Sequence, residues 1–278
     1  MSVLGAAGGP ATLGSVSIGL DEMQFLLEKL QFDELPVVLQ VVGRYDNETD
    51  HDAAMQVAER TLIDRGYLID GEVHRDLEDR LRTLYRPNWV LALRLVVNGQ
   101  ISRLALAKGD DLAVVALRGP FSYVIDEVDE DLPGPLVAAL GPAEPLDIES
   151  MNAETELLAP IFGDAGDSAT TANRLAKICT PPRDVQVLAS ALVEIHSHTQ
   201  ISAVVYGDGS RDIADSHIAV FDTRGGRIIL TAAVADDGTK WTSISSGSTA
   251  RLRTAIRELI NSLPERVEFP PRVVPTPS

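Results

Sequence analysis

Few residues of this chain are typed and spaced for chemistry. His196 and His198 lie beside Glu194. Alternate residues of a strand share a face, so both imidazoles could reach one ion. No third or fourth ligand is implied nearby, and the pair falls at an expected helix-to-strand junction, so polar surface is the better reading. The segment Gly207–Asp215, GDGSRDIAD, offers Asp208, Asp212 and Asp215. It lacks the alternating oxygen ligands closing on a glutamate that define an EF-hand loop. It reads as a charged hairpin tip, and binding residues concentrate in loops on rigid scaffolds. The acidic run Asp126–Asp131, DEVDED, reads as a solvated face. Cys179, in AKICTPP, has only Lys177 as a basic neighbour and reads as a half-buried structural thiol. No carboxylate pair stands isolated in apolar surroundings, where its pKa would be tuned for acid–base work. GxSxG, HExxH, P-loop and GxGxxG patterns are absent. The expectation is therefore no catalytic residue, no metal and no cofactor.

The elements that must carry these residues follow from periodicity. A strand is expected at Ser15–Ile18, then a helix with Asp21 and Glu22 in its first turn and Leu26, Leu27 and Leu30 on its apolar face. VVLQVV, Val37–Val42, reads as a strand. Asp50 reads as the cap of a helix bearing Met55, Ala58 and Leu62, with Gly66 at its end. A further helix spans Val73–Tyr85, with Leu77, Leu81 and Leu84 at helical spacing, and stops before Pro87. The period then changes to two, giving strands at Val90–Val96, Ile101–Ala107, Leu112–Leu117 and Phe121–Ile125. Turns as short as Asn98-Gly99 force neighbouring strands antiparallel. A short helix over Leu136–Leu140 ends the unit.

The same order returns in the second half. A helix over Asp184–Ile195 carries Val185, Leu188 and Leu192. Strands follow at Gln200–Tyr206, Ser216–Phe221, Arg227–Ala232 and Trp241–Ser245. Ser248 or Thr249 then caps a helix with the stripe Leu252, Ile256, Leu259, Ile260 and Leu263. This pattern predicts an α+β fold in which two antiparallel meanders, related by a pseudo-two-fold, form a central sheet flanked by two helical bundles. The expected organisation is a disordered N-terminus (1–14), two similar halves (15–145 and 146–264) in one compact domain, and a Pro-rich tail (265–278). Gly141–Asp147 is the expected hinge between the halves.

Composition narrows the partners. Across 278 residues, 41 acidic against 24 basic side chains leave a formal net charge of −17. Such a surface repels phosphate backbones and anionic lipid, so neither nucleic acid nor membrane insertion is expected. One cysteine allows no internal disulfide, which suits a reducing compartment. The first 20 residues lack a basic n-region and an unbroken apolar core, so a secretory signal is not expected. A cytoplasmic protein that presents surface to other proteins is the reading.

Two blocks carry a resemblance. One is RGYLIDGEVHRDLEDRLRTLYRP, Arg65–Pro87; the other runs from GGRIILTAA at Gly225 through KWTSISSGSTARLRTAIRELINSLP to Pro264. VAALGPAEP, Val137–Pro145, is a third, shorter likeness. Together they resemble the EspG family of type VII (ESX) secretion-associated proteins, from about Ser15 to Leu263. The resemblance implies a chaperone that grips the helical tip of the PPE subunit of a PE–PPE heterodimer, keeps the pair soluble and directs it to the secretion machinery. It also implies a partner surface made from the sheet and the C-terminal bundle. That favours Gly207, Asp208, Arg211 and Asp212 at the hairpin tip, Arg174 in the second bundle, and Asp33 after the first helix. The sequence does not name the apolar anchors, for which Ile213 and Ile218 are open candidates. A secreted substrate of such a system would carry a Trp-x-Gly turn, and neither Trp89 nor Trp241 is followed by that glycine. Two other classes stay open at this point: an enzyme with a site between the halves, and a scaffold that self-associates through edge strands.

Overall fold

A computed structural model of the chain describes residues 13–39, 45–163, 166–207 and 210–263. Among them are eight α-helices and a ten-stranded antiparallel sheet, an α+β fold. The sequence expectations for 1–12 and 264–278 lie outside the described residues.

Strand β1 (Val16–Gly19) runs directly into helix α1 (Leu20–Leu30). The Glu22 carboxylate accepts the Gly19 amide at 2.7 Å and is held from the other side by Arg65 at 2.9 Å, which seats the helix N-terminus. Helix α2 (Glu48–Asp64) is capped by Asn47, whose side chain accepts the Asp50 amide at 2.9 Å. Asp50 therefore lies one turn inside the helix and is not its cap. Val37–Val42, expected as a strand, forms a single 3-10 turn at Val37–Leu39, and its remaining residues are outside those described. Pro36 has no N–H for a ladder, and its carbonyl accepts from Leu39 at 2.8 Å, so the chain turns and lays Val38 and Leu39 into the core. A two-stranded ribbon, β2 (Leu68–Ile69) and β3 (Glu72–Val73), takes Val73 away from the next helix. That helix, α3 (Arg75–Tyr85), starts after His74, whose ring nitrogen accepts the Asp76 amide at 3.2 Å.

The first meander is β4 (Trp89–Val97), β5 (Gln100–Lys108), β6 (Ala113–Arg118) and β7 (Ser122–Glu127), followed by α4 (Gly134–Leu140). At the start of the expected second half lie three elements that periodicity did not resolve: β8 (Met151–Glu154), α5 (Thr155–Gly163) and α6 (Ser168–Leu175). Helix α7 (Pro182–Leu192) ends before Ile195, which instead opens a strand paired with Thr223. The second meander is β9 (Ile195–Gly207), β10 (Ser210–Thr223), β11 (Gly226–Val234) and β12 (Lys240–Ser246), closed by α8 (Thr249–Asn261). Ser248 caps α8 by accepting the Arg251 amide.

Strand order across the sheet is β1-β7-β6-β5-β4-β9-β10-β11-β12-β8. The meanders join through β4 and β9, registered from Trp89↔Val205 to Val97↔Ser197. Side chains alternate between two faces. One face, with Leu91, Leu93, Leu104, Leu106, Ile201, Ile218 and Ile229, is covered by α4 and α8. On the other face α1, α2 and α3 bury the β1–β7–β6–β5 end, and α5, α6 and α7 bury the β8–β12–β11 end.

Gly141–Asp147, expected as the hinge, is stitched to β11. The Arg227 amide donates to Glu144 and its carbonyl accepts from Leu146. Its guanidinium donates to the carbonyls of Gly141 and Leu140 at 2.9 and 3.0 Å and forms an ion pair with Asp222. Arg227 is only 2% exposed, so that carboxylate offsets the cost of burying its charge. Gly247 makes room for Arg227, and Gly226 for the linker backbone. A Cβ at Gly247 would stand 2.3 Å from the Arg227 side chain, and one at Gly226 would meet Leu146 backbone at 2.6 Å. Burial pushes the Asp222 carboxyl upward, but hydrogen bonds from Arg227 and Ser197 and the charges of Arg227 and His196 outweigh it, and its pKa is lowered. A lowered folded pKa contributes stability above the unfolded value and loses it as pH falls. Replacing Asp222 by Ala should cost about 3–5 kcal/mol in urea unfolding at neutral pH, since it strands a buried charge. Wild-type stability should also fall below about pH 4, with Asp222→Asn showing a shallower fall there.

Candidate partner-binding surface

The two helical groups on one face do not meet. Between them lies a strip of β4, β9 and the first part of β10, forming a groove of about 410 Å³. Val90, Ala92, Val204 and Ile213 give it an apolar floor, and the 3-10 turn at Pro36–Val38 forms one wall. Tyr206, Arg211, Arg94, Arg103, Gln200 and Ser202 supply its polar groups. Two apolar side chains stand out at its edges: Val37 is 59% exposed and Ile213 74%.

The segment expected to be a loop at Gly207–Asp215 is mostly ladder. Gly207 pairs with Ser210, Arg211 with Tyr206, Asp212 with Val205 and Ile213 with Val204. Pairing resumes at His217↔Ser202, so Ala214, Asp215 and Ser216 stand opposite the single Ala203 as a bulge. Bulges bend and twist a strand and re-aim its side chains. Here the break follows Ile213, which also borders a second hollow lined by Ala232, Val234 and Lys240.

Each sequence candidate can now be placed. Arg211 lies on the groove, 3.7 Å from Glu34, in an exposed ion pair worth about 0–1 kcal/mol. Asp33 is exposed beside Glu34 in the turn after α1. Burial raises the pKa of the Tyr206 hydroxyl between these two charges; Arg211 opposes the rise and Glu34 adds to it. Asp212 follows Arg211 in the strand and so faces the opposite side of the sheet, away from the groove. Asp208 lies outside the described residues. Arg174 donates to the Pro160 carbonyl at 2.8 Å, tying α6 to α5 within the second helical group. Ile218 is 2% exposed and packs beneath α8, so it belongs to the core and not to the surface. Sequence reading missed Val37, Arg94, Arg103 and Gln200. Their signal was only strand alternation, which gives the period of a face but not whether a helix covers it.

The remaining chemistry candidates stay apart. His196 and His198 are both exposed, and the His198 ring lies 6.3 Å from Phe221. Asp131, at the end of the acidic run, pairs with Arg253 of α8. Cys179 is buried, which raises its thiol pKa. Among the described residues no three His, Cys, Asp or Glu side chains gather as a metal site. No helix among them is long and apolar enough to cross a membrane.

A wide sheet with one open central strip defines a protein that engages other proteins through a face. A profile of the EspG family matches residues 19–258, and the chain belongs to that family. It is 26% identical over 273 residues to the ESX-1 secretion-associated protein EspG1 of Mycobacterium tuberculosis (strain ATCC 25618 / H37Rv), covering 95% of this chain and 92% of that protein. It is 24% identical over 262 residues to the ESX-3 secretion-associated protein EspG3 of Mycolicibacterium smegmatis (strain ATCC 700084 / mc(2)155), covering 92% and 89%. Its fold is similar to that of the Mycobacterium tuberculosis type VII secretion system chaperone EspG5, solved in complex with a PE25-PPE41 dimer. The TM-score is 0.73 at 17% identity, over 90% of this chain and 97% of that one.

The two isoleucines separate surface from core. Ile213→Ala should leave the urea midpoint within about 0.5 kcal/mol of wild type, as exposed substitutions do. Ile218→Ala should lower stability by about 2–5 kcal/mol through the cavity it opens.

Proposed function

We propose that this protein is a cytoplasmic, non-enzymatic chaperone that binds a PE–PPE dimer and delivers it to a type VII secretion system. The observation that carries the reading is the open strip between the two helical groups, where Ile213 of β10 and Val37 of the 3-10 turn stand exposed beside the half-buried Ala92 and Val204. An exposed apolar strip rimmed by polar groups is a common mark of a protein-binding face. Further support comes from the solved relative EspG5, which holds a PE–PPE dimer.

In this reading Ile213 and Val37 are the apolar anchors, while Arg211, Gly207 and Asp33 form the rim. Arg174 supports the surface by holding α6 on α5, and Asp208 and Asp212 take part only if the partner wraps the end of the β9–β10 hairpin. We further infer that the halves 15–145 and 146–264 are related by a pseudo-two-fold through the β4–β9 pair. The matching positions of β1 and β8 at the two sheet edges, each leading directly into a helix, favour this.

The test is co-expression of the full chain with PE–PPE pairs from its own genome, followed by affinity capture and solution mass. The expected outcome is a complex with one copy of each chain. Ile213→Asp should weaken it tenfold or more, as loss of a central anchor does. Arg211→Glu should slow association more than it speeds dissociation, as rim charges do. A folded chain that captures no pair would overturn the reading.

A further inference from the structure

Three arginines stand in one row on the sheet face that carries the open strip, running from exposed Arg94 to half-buried Arg103 and Arg118. Arg94 of β4 is directly opposite Arg103 of β5, and Arg103 is directly opposite Arg118 of β6. Directly opposed residues hold their Cβ atoms about 4.5–5.5 Å apart, and like charges in that arrangement destabilise a sheet. Nothing in the fold requires charge here: the next row on the same face is Ala92, Ala105 and Ala116. Arg118 is partly absorbed, donating from Nε to the Tyr123 hydroxyl at 3.2 Å. Arg94 and Arg103 have no ion-pair partner among the described residues. Burial first, and then the charges of Arg118 and Arg94, hold the Arg103 pKa below its ordinary value. In a chain with 41 acidic residues, no described carboxylate pairs with Arg94 or Arg103 at this end of the open groove.

We propose that Arg94 and Arg103 are a selectivity element that takes carboxylates of the bound partner. The occupant is a helical tip whose apolar side chains pack on Ile213, Val37 and the half-buried Val204 while aspartate or glutamate side chains reach the arginine row. The proposal rests on the chaperone reading and adds which partners that surface accepts. Guanidinium forks bind carboxylates with two parallel hydrogen bonds, and a partner that brings the missing negative charge relieves a repulsion already present in the free chain. A partner with a basic or neutral tip would leave that repulsion in place and be rejected, which is how charge sets specificity more than affinity.

Calorimetric titration of the full-length chain with a captured PE–PPE pair, at 50 and 500 mM NaCl, tests this. Arg94→Gln and Arg103→Gln should each weaken binding about tenfold at low salt and by less at high salt. Neither should lower the melting temperature of the free chain, since each removes a repulsion. Neutralising the carboxylates of the partner's tip should mimic these losses and not add to them. Wild-type binding with unchanged affinity and salt dependence in both variants would overturn this proposal alone. So would a lowered melting temperature in both variants, which would make the row structural. If Arg103→Gln alone is destabilised, the exposed Arg94 carries the test. Capture of no pair by wild type would remove the chaperone reading and this proposal together.

Discussion

Pairing of β4 with β9 over nine registered positions, from Trp89↔Val205 to Val97↔Ser197, turns two meanders into one continuous sheet. Ten strands at about 4.8 Å spacing give a sheet more than 40 Å wide, broader than a group of three short helices can cover. On one face, α4 and α8 close over the joint itself. On the other, each helical group stays with its own meander, and the joint is left open. The exposed strip is thus a geometric consequence of the joining ladder. The same strands that have no helix over one face are among the best buried on the other, which keeps the strip flat and fixed.

Arg227 anchors the path between the meanders. Its side chain gathers Asp222 and the carbonyls of Leu140 and Gly141, and its backbone bonds to Glu144 and Leu146. A buried arginine is tolerated only when its donors are met, and here a single residue meets them with a carboxylate and the chain end of a helix. Gly247 is small because the stem and backbone of Arg227 pass against it, and Gly226 because the Pro145–Leu146 backbone does. Glu22 and Arg65 perform a similar task at the other edge, where they clamp the turn between β1 and α1. In both places charge is spent on holding connections, while on the open face Arg211 pairs with Glu34 and Arg94 and Arg103 have no ion-pair partner among the described residues.

A binding protein of this kind faces a conflict between affinity and its own solubility. Ile213 and Val37 expose apolar area that must not drive self-association. The rest of the surface answers with a net charge of −17, which repels further copies, and both sheet edges end in strands of only four residues. In the proposed reading, the arginine row offers an acidic partner attraction at this face instead of repulsion.

The sequence by itself determined the elements whose period is strong. Both meanders were legible from alternation broken by Asn98-Gly99 and similar turns, and the α8 stripe from Leu252 to Leu259 was legible with its Ser248 cap. Those signals are local, and local geometry was enough to read them. Short or interrupted elements were not legible: α5 contains Pro160, β8 has four residues, and Val37–Val42 looked like a strand because apolar runs have no period. The candidate site was half visible. Arg211 and Ile213 were found on a supposed loop, but Ile218 was assigned to the surface although it is core, and Arg94 and Arg103 were passed over. Alternation tells which residues share a face. Only the tertiary structure decides which face receives a helix, because that choice is made by the packing of α1–α8 against the whole sheet and leaves no mark on any single strand.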